Sequence, residues 1–213
     1  MTSAWLDENW QSPRLVRECH DGCGCDPEVC LNRGSHKQDR EAIEVFLTKD
    51  RGWGVQARRR ILRGECVGEY VGERLSQRVA EMREYLYDRF GLTYSFGLEA
   101  TSERAEEEDE TEFEWENPTN VTLDGTFVSN HTRFFNHSCD PNIIVVHVSD
   151  GDRDHRGIRY SFYTVRDVKK GEELTFDYQL EGAYPDDSGN YECRCGSANC
   201  RKTMLNLRNL PKQ

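Results

Sequence analysis

Short runs of hydrophobic and β-branched residues, separated by glycine and aspartate, make up most of the chain from about Ile43 onward. Several of these runs alternate between apolar and polar positions, which is the period of a β-strand with one buried face. The pattern therefore predicts a mainly β protein built from several small curled sheets. The predicted strands are IEVFLT (43–48), GVQA (54–57), ECVGEYVG (65–72), YSFGL (94–98), VTLD (121–124), IIVVHVS (143–149), IRYSFYTV (158–165) and ELTFDY (173–178).

One helix is predicted between the third and fourth strands. Apolar residues recur there at spacings of three and four, which places them on one face of a helix. Ser76 is a suitable N-cap and Gly91 a suitable C-terminal stop. The apolar face of this helix should comprise Leu75, Val79, Met82, Leu86 and Phe90.

Two connections follow from the same pattern. The DGD sequence at 150–152 lies between two strongly β-like runs, so residues 143–165 are predicted to form a hairpin. Between Glu99 and Glu116, ten acidic side chains accompany a single arginine, Arg104. Such a segment repels itself and is predicted to be a mobile surface loop. It is either a solvated insertion, which we favour, or an acidic lip that attracts a basic peptide.

Composition narrows the class of protein. The chain has 213 residues, of which 36% are hydrophobic and 31% charged, and this composition suits a globular domain with small appendages. No apolar run is long enough to cross a bilayer, and the acidic N-terminus lacks the features of a secretory signal. A cytosolic or nuclear location is therefore expected. The net charge of −11 argues against nucleic-acid binding and favours a basic partner.

Clustered cysteines in such a compartment are more typical of metal ligands than of disulfides. Cys193, Cys195 and Cys200 follow the spacing C-x-C-x4-C near the C-terminus. Structural zinc takes four tetrahedral ligands, so a fourth must come from elsewhere, and Cys139 in NHSCDPN is the candidate. The alternative is a set of metal-free thiols in a frayed tail.

Six motifs, in order along the chain, resemble those of the SET-domain protein lysine methyltransferases. They are RGWGV (51–55), GEYVGE (68–73), TYSFGLE (93–99), RFFNHSCDPN (133–142), GEELTFDY (171–178) and CRCGSANC (193–200). The resemblance covers about residues 43–205. It implies a SET fold with a pseudo-knotted core and a zinc-bound C-terminal tail. It also implies transfer of a methyl group from S-adenosylmethionine to a protein lysine.

The resemblance assigns roles to individual residues. Tyr178 corresponds to the catalytic tyrosine that orients the amine, and Tyr70 and Tyr94 to tyrosines of the lysine channel. Phe176 stands where phenylalanine accompanies di- or trimethylation, because a hydroxyl there would hold a water that further methyl groups must displace. By pattern alone Tyr70 and Tyr94 would be ordinary core or edge residues of strands, and His137 an ordinary core histidine. The implied cofactor-binding positions are Gly52, Trp53, Gly54, Arg133, Phe134, Asn136, His137 and Tyr178.

A second cysteine group lies near the N-terminus. Cys19, Cys23, Cys25 and Cys30 resemble the second half of the pre-SET segment of fungal-type and other heterochromatin enzymes that act on lysine 9 of histone H3. In that family nine cysteines share three zinc ions, and the first five have no counterpart here. The four thiols therefore hold a single zinc, or are a metal-free relic, or the chain is truncated.

The resemblance also divides the chain and suggests a substrate. We expect an arm (1–18), a partial pre-SET segment (19–33), a SET domain (43–180, with the acidic insertion at 99–118) and a post-SET zinc segment (190–206). The expected activity is di- or trimethylation of histone H3 at lysine 9, in the nucleus on chromatin. Lysine 36 of histone H3 or a non-histone lysine ranks next, and a non-catalytic chromatin scaffold is the alternative of another class. The tail lacks the aromatic residue that covers the cofactor in many relatives; Leu205 stands nearest that position.

Overall fold

A computed structural model describes residues 16–90, 94–99, 120–149, 158–178 and 192–204. Within these ranges eleven strands form four small sheets, accompanied by one α-helix. That helix is too short and too polar to span a bilayer. The elements are β1 (Val16–Arg17), β2 (Ile43–Leu47), β3 (Trp53–Ala57), β4 (Cys66–Glu69), β5 (Glu73–Ser76), α1 (Gln77–Tyr87), β6 (Ser95–Glu99), β7 (Asn120–Asp124), β8 (Asn136–His137), β9 (Ile143–Ser149), β10 (Arg159–Thr164) and β11 (Thr175–Phe176).

The largest sheet has the strand order β1-β9-β10-β4. Its centre is the antiparallel pair β9 and β10, in register from Ile143 opposite Thr164 to Val148 opposite Arg159. This pair confirms the strands of the predicted hairpin, whose DGD turn lies outside the described residues. The other sheets are β2-β3, β5-β7-β6 and the parallel pair β8-β11.

Aromatic rings fill the core beneath the parallel pair. The ring of Phe162 on β10 is fully buried, with its centroid 4.9 Å from that of Phe135 and 5.1 Å from that of Phe176. Because Phe176 belongs to β11, the same packing fixes the strand that ends two residues before Tyr178. The core therefore positions the predicted catalytic tyrosine directly.

Two parallel pairings were not predicted. β1 pairs with β9, with Val16 opposite Val148, and β8 pairs with β11, with Asn136 opposite Thr175. Strands of two residues are too short for alternation to show in the sequence. The predicted strand ELTFDY (173–178) is too long, because the strand observed there, β11, comprises only Thr175–Phe176.

The strand predicted for residues 65–72 ends at Glu69. After it the chain crosses to the next sheet, where Gly72 lies so close to Asp124 that an added Cβ would be 2.7 Å from the Asp124 carbonyl oxygen. Glycine is required at this crossing because any side chain would collide with the neighbouring backbone. The glycines that punctuate ECVGEYVG therefore mark a change of sheet.

The predicted apolar face of the helix is wrong. Leu75 lies in β5 and is buried there, but Val79, Met82 and Leu86 are exposed on α1. Phe90, the last residue of the predicted face, lies after the end of α1 and is 76% exposed. The buried face of α1 is instead formed by Ala80 and Tyr87. Ser76 directly precedes the helix as expected, and Gly91 lies outside the described residues.

Polar contacts to Asp124 at the end of β7 account for the orientation of the helix. The Asp124 carboxylate, 1% exposed, accepts hydrogen bonds from the Tyr87 hydroxyl (2.8 Å), the Arg83 guanidinium (2.8 Å) and the backbone N–H of Thr126 (2.9 Å). Burial by itself would raise the pKa of Asp124, but these donors outweigh it and lower the pKa to about 2. A buried charge keeps its partners, so α1 turns Arg83 and Tyr87 inward.

The segment that carries the N-terminal cysteines is fixed by a buried acid. The Glu18 carboxylate accepts hydrogen bonds from the Ser35 backbone N–H (2.9 Å) and from the Tyr163 hydroxyl (3.0 Å) on β10. β1 lies just before Glu18, so strand pairing and this acid together hold residues 16–36 on the large sheet. The described part of the predicted arm, residues 16–18, therefore contains strand β1.

Replacing Asp124 by Asn should lower the free energy of unfolding by about 2–4 kcal/mol, because the amide has one acceptor oxygen and its NH2 group would face either the Thr126 N–H or the Arg83 and Tyr87 donors. Glu73→Gln, which removes an exposed acid bonded to the same Arg83, should lower the free energy of unfolding much less, because solvent screens that pair. Urea denaturation measures both. Since the folded pKa of Asp124 lies below the ordinary 3.8, its contribution is present above that pH and is lost as the pH falls toward 2. Equal losses of unfolding free energy in the two variants would contradict the role of Asp124 as the shared acceptor for Arg83, Tyr87 and Thr126.

Candidate active site and cysteine clusters

A cavity of about 330 Å³ opens where β8, the end of β11 and the C-terminal segment (residues 192–204) meet. Its volume lies within the range of small-molecule sites. Half of its lining comes from the core and half from the C-terminal segment. The lining residues are Arg51, Asn136, His137 and Tyr178 from the core, and Glu192, Arg194, Cys195 and Met204 from the segment.

Asn136 is held in place by the glycine turn and by an acid behind the cavity. Its side-chain amide donates to the Trp53 carbonyl (3.1 Å) and to Glu173 Oε1 (2.8 Å). The other oxygen of Glu173 accepts from the Arg51 guanidinium at 2.6 Å. A Cβ on Gly54 would lie 2.8 Å from Glu173 Oε1, so only glycine leaves room for this carboxylate. Glu173 thereby orients two of the side chains that line the cavity.

His137 connects the end of β11 to a cysteine. Its Nδ1 accepts a hydrogen bond from the Tyr178 backbone N–H at 3.1 Å, so the neutral ring carries its proton on Nε2. Nε2 lies 3.5 Å from Cys139 Sγ. Burial lowers the pKa of His137 to about 4, against a smaller opposing effect of Asp177, and the ring is neutral at pH 7.

Tyr178 reaches the cavity with its hydroxyl held by the backbone. The hydroxyl donates to the Phe135 carbonyl at 2.8 Å, and the ring centroid lies 4.7 Å from that of Phe176. Burial raises the pKa of Tyr178 well above its ordinary value, so the hydroxyl stays protonated. A neutral, fixed hydroxyl can orient a reacting group but is a poor base.

The two other predicted tyrosines form one unit. The Tyr70 hydroxyl donates to the Tyr94 carbonyl at 2.6 Å, and the Gly125 N–H donates to the same oxygen at 2.9 Å. The Arg133 guanidinium lies over the Tyr94 ring, 3.8 Å from its centroid, and donates to the Thr126 carbonyl at 2.9 Å. Arg133 therefore shapes the surroundings of Tyr94 and is not among the residues that line the cavity.

Three of the eight predicted cofactor-binding positions line the cavity. These are Asn136, His137 and Tyr178; Gly52, Trp53, Gly54, Arg133 and Phe134 do not line it. Sequence reasoning missed Arg51, Glu173, Glu192, Arg194 and Met204. Arg51 and Glu173 belong to quoted motifs, so the signal was available, but only the fold shows that they meet. Met204 lines the cavity. Leu205, which stands nearest the position of the aromatic residue found in many relatives, lies outside the described residues.

The sequence model of the SET domain matches residues 52–179, more than half of the chain. The chain belongs to the SET-domain family. It is 36% identical over 200 residues to histone-lysine N-methyltransferase SUV39H2 of Xenopus tropicalis, covering 88% of this chain and 45% of the relative. It is 34% identical over 212 residues to SUV39H1-A of Danio rerio, covering 89% and 47%. The chain thus spans about half the length of these relatives.

Solved structures agree with this assignment. The structure of KRYPTONITE in complex with mCHH DNA, an H3(1-15) peptide and SAH matches with a TM-score of 0.68 and 29% identity. The match covers 90% of this chain and 35% of KRYPTONITE. The predicted SET fold, mainly β, is therefore confirmed, with one α-helix in the part of the chain that the structure describes.

The C-terminal segment of this SET protein brings its cysteines to the NHSC motif, as predicted. The Sγ atoms of Cys139, Cys193, Cys195 and Cys200 all lie within 4.8 Å of one another, and those of Cys139 and Cys193 are 3.6 Å apart. Sulfurs bound tetrahedrally at about 2.3 Å from zinc would be about 3.8 Å apart. The four thiols fit a structural zinc site that joins the segment to the core.

The N-terminal cysteines form a smaller group. The Sγ atoms of Cys19, Cys25 and Cys30 lie within 4.8 Å of one another, and Cys25 and Cys30 are 3.6 Å apart. Cys23 is exposed and outside this group. The left-handed backbone of Gly24, with φ of 68°, separates Cys23 from Cys25 and turns the chain between them. Three of the four predicted ligands therefore come together.

Zinc content tests both groups. The chain should bind about two equivalents, and Cys139→Ser and Cys19→Ser should each remove about one, because a lost thiolate opens the site. Cys23→Ser is the matched control and should remove none. Elemental analysis of the dialysed proteins gives the ratios. A zinc loss in Cys23→Ser equal to that in Cys19→Ser would contradict the grouping.

Proposed function

We propose that this chain is an S-adenosylmethionine-dependent protein lysine N-methyltransferase that di- or trimethylates histone H3 at lysine 9. The observation that carries the proposal is the neutral Tyr178 hydroxyl, fixed on the Phe135 carbonyl at the wall of a ligand-sized cavity. The names of the curated relatives, and the SAH and H3 peptide in the KRYPTONITE structure, support the choice of cofactor and substrate. The proposed place of action is chromatin in the nucleus.

The lining residues fit the amino-acid end of the cofactor. Arg51 supplies a cation for a carboxylate, and the Asn136 amide oxygen offers an acceptor for an ammonium group, since both N–H groups of that amide are bonded to Trp53 and Glu173. Met204 adds an apolar side chain from the C-terminal segment. S-adenosylmethionine supplies an electrophilic methyl group on a sulfonium.

The chain's own task is alignment. An in-line displacement requires the lysine nitrogen, the methyl carbon and the sulfur to be collinear, and water to be excluded. The Tyr178 hydroxyl is fixed by its bond to Phe135, and burial keeps it protonated. Tyr70 also has a raised pKa because of burial, so its hydroxyl acts as a donor to Tyr94. A poorly hydrated channel beside a cation lowers the pKa of the incoming lysine, which removes the need for a carboxylate base.

A basic peptide suits the charge and the sheet edges of this chain. The net charge of −11 attracts a lysine-rich tail. In the β5-β7-β6 sheet of the described residues, β6 stands at the edge, directly after Tyr94. A peptide that adds to β6 as a further strand would bring its lysine beside the channel tyrosines.

Labelled S-adenosylmethionine and the four core histones test the activity. Label should appear on histone H3, and Tyr178→Phe should lower the rate at least about 100-fold, because a loosely held amine seldom reaches the collinear geometry. Tyr85→Phe removes the same atom from an exposed tyrosine on α1 and should leave the rate unchanged. Absence of label on every histone would favour the scaffold or a non-histone substrate.

Product identity tests the role of Phe176. Phe176 is 7% exposed and its ring packs against those of Tyr178 and Phe162, so a hydroxyl added there would bring a bound water into the channel. The wild-type chain should yield di- and trimethyl-lysine by mass spectrometry of an H3 peptide, and Phe176→Tyr should stop mainly at monomethyl-lysine. Only monomethyl-lysine from the wild-type chain would reject this part of the proposal.

A further inference from the structure

The cavity is built by two parts of the chain, the core and the C-terminal segment. Glu192, Arg194, Cys195 and Met204 come from the C-terminal segment and contribute half of the lining. The cysteine cluster ties this segment to Cys139. Arg201 also joins the segment to Asp177, which directly follows β11.

Arg201 forms a two-point ion pair with Asp177. Its NH1 donates to Asp177 Oδ2 at 2.6 Å and its NH2 to Oδ1 at 2.7 Å. The two side chains are 30% and 19% exposed, so solvent screens the pair only in part. Asp177 lies between Phe176 and Tyr178, whereas Cys139 belongs to the NHSC motif. The segment is therefore attached at two separate places on the core.

The geometry of these attachments limits what each can do. A metal bound by Cys139 and three cysteines of the segment fixes one point, about which the segment can still tilt. The planar guanidinium of Arg201 fixes a second point in both distance and direction, because both of its hydrogen bonds lie in one plane. Together the two attachments hold Glu192, Arg194 and Met204 against the core side of the cavity.

We propose that Arg201 and Asp177 form a clamp that closes the C-terminal segment over the cavity and sets the affinity for the cofactor, separately from the metal. The inference rests on the proposed function for the identity of the ligand. A ligand that needs both walls binds in proportion to the fraction of molecules that are closed. Arg201 is a positioning residue, since it touches neither the cavity nor the metal through its side chain.

The affinity of the zinc-loaded chain for S-adenosylhomocysteine, measured by calorimetry, tests the clamp. Arg201→Gln should raise Kd about tenfold, the usual scale for losing a charge-assisted hydrogen-bonded pair. Arg201→Lys keeps the charge but only one of the two bonds, and should raise Kd about threefold. Lys202→Gln removes the same charge from the neighbouring, exposed residue and should leave Kd within about twofold of wild type. Zinc content should be the same in all four proteins.

Hydrogen exchange of the ligand-free chain provides a readout that does not depend on the cofactor. The amides of residues 192–204 should exchange faster in Arg201→Gln than in the wild-type chain and Lys202→Gln. Unchanged exchange and unchanged Kd would overturn the clamp, as would a loss of zinc that accompanies the loss of affinity. A wild-type chain that does not bind S-adenosylhomocysteine would remove the proposed function, and the exchange rates would still decide the clamp.

Discussion

The site depends on a two-residue parallel pairing, in which Asn136 lies opposite Thr175 and His137 opposite Phe176. So short a pair cannot hold itself, and a buried side chain completes it. Asn142 accepts a hydrogen bond from the Thr175 N–H at 2.9 Å and donates to the Glu173 carbonyl at 2.8 Å, as a neighbouring strand would. The cavity exists because the pairing of β8 with β11 places Asn136, His137 and Tyr178 side by side.

Burial of the β8–β11 pair also determines the protonation states of His137 and Tyr178. Desolvation lowers the pKa of His137 and raises that of Tyr178, so both groups are neutral at pH 7. The fixed charges stand around them, on Arg51 and Glu173 at one side and on Arg201 and Asp177 at the other. Because His137 and Tyr178 are neutral, they suit the alignment of a substrate better than acid–base catalysis. This agrees with a reaction whose rate depends mainly on the geometry of the reacting atoms.

The sequence predicted what depends on local pattern or on motif spacing. Strands β9 and β10 are long enough for their hydrophobic runs to be recognised, and the spacing of Cys193, Cys195 and Cys200 pointed to Cys139 as the fourth ligand. The two-residue strands β8 and β11 carry no periodic signal. The helix face was misassigned because a buried ion pair, Asp124 with Arg83, outweighs an apolar stripe, and residues distant in the chain decide that pairing.

The C-terminal segment depends on the core for its folded structure. Within the described residues its own backbone pairing is limited to a bridge between Glu192 and Thr203 and a few short-range bonds, so it has little intrinsic stability. Its order must come from bound metal and from contacts with the core. The Cys139 thiolate lies beside His137 Nε2, and His137 in turn holds the Tyr178 backbone. A metal bound at Cys139 would therefore be connected to the placement of Tyr178 through residues that touch one another.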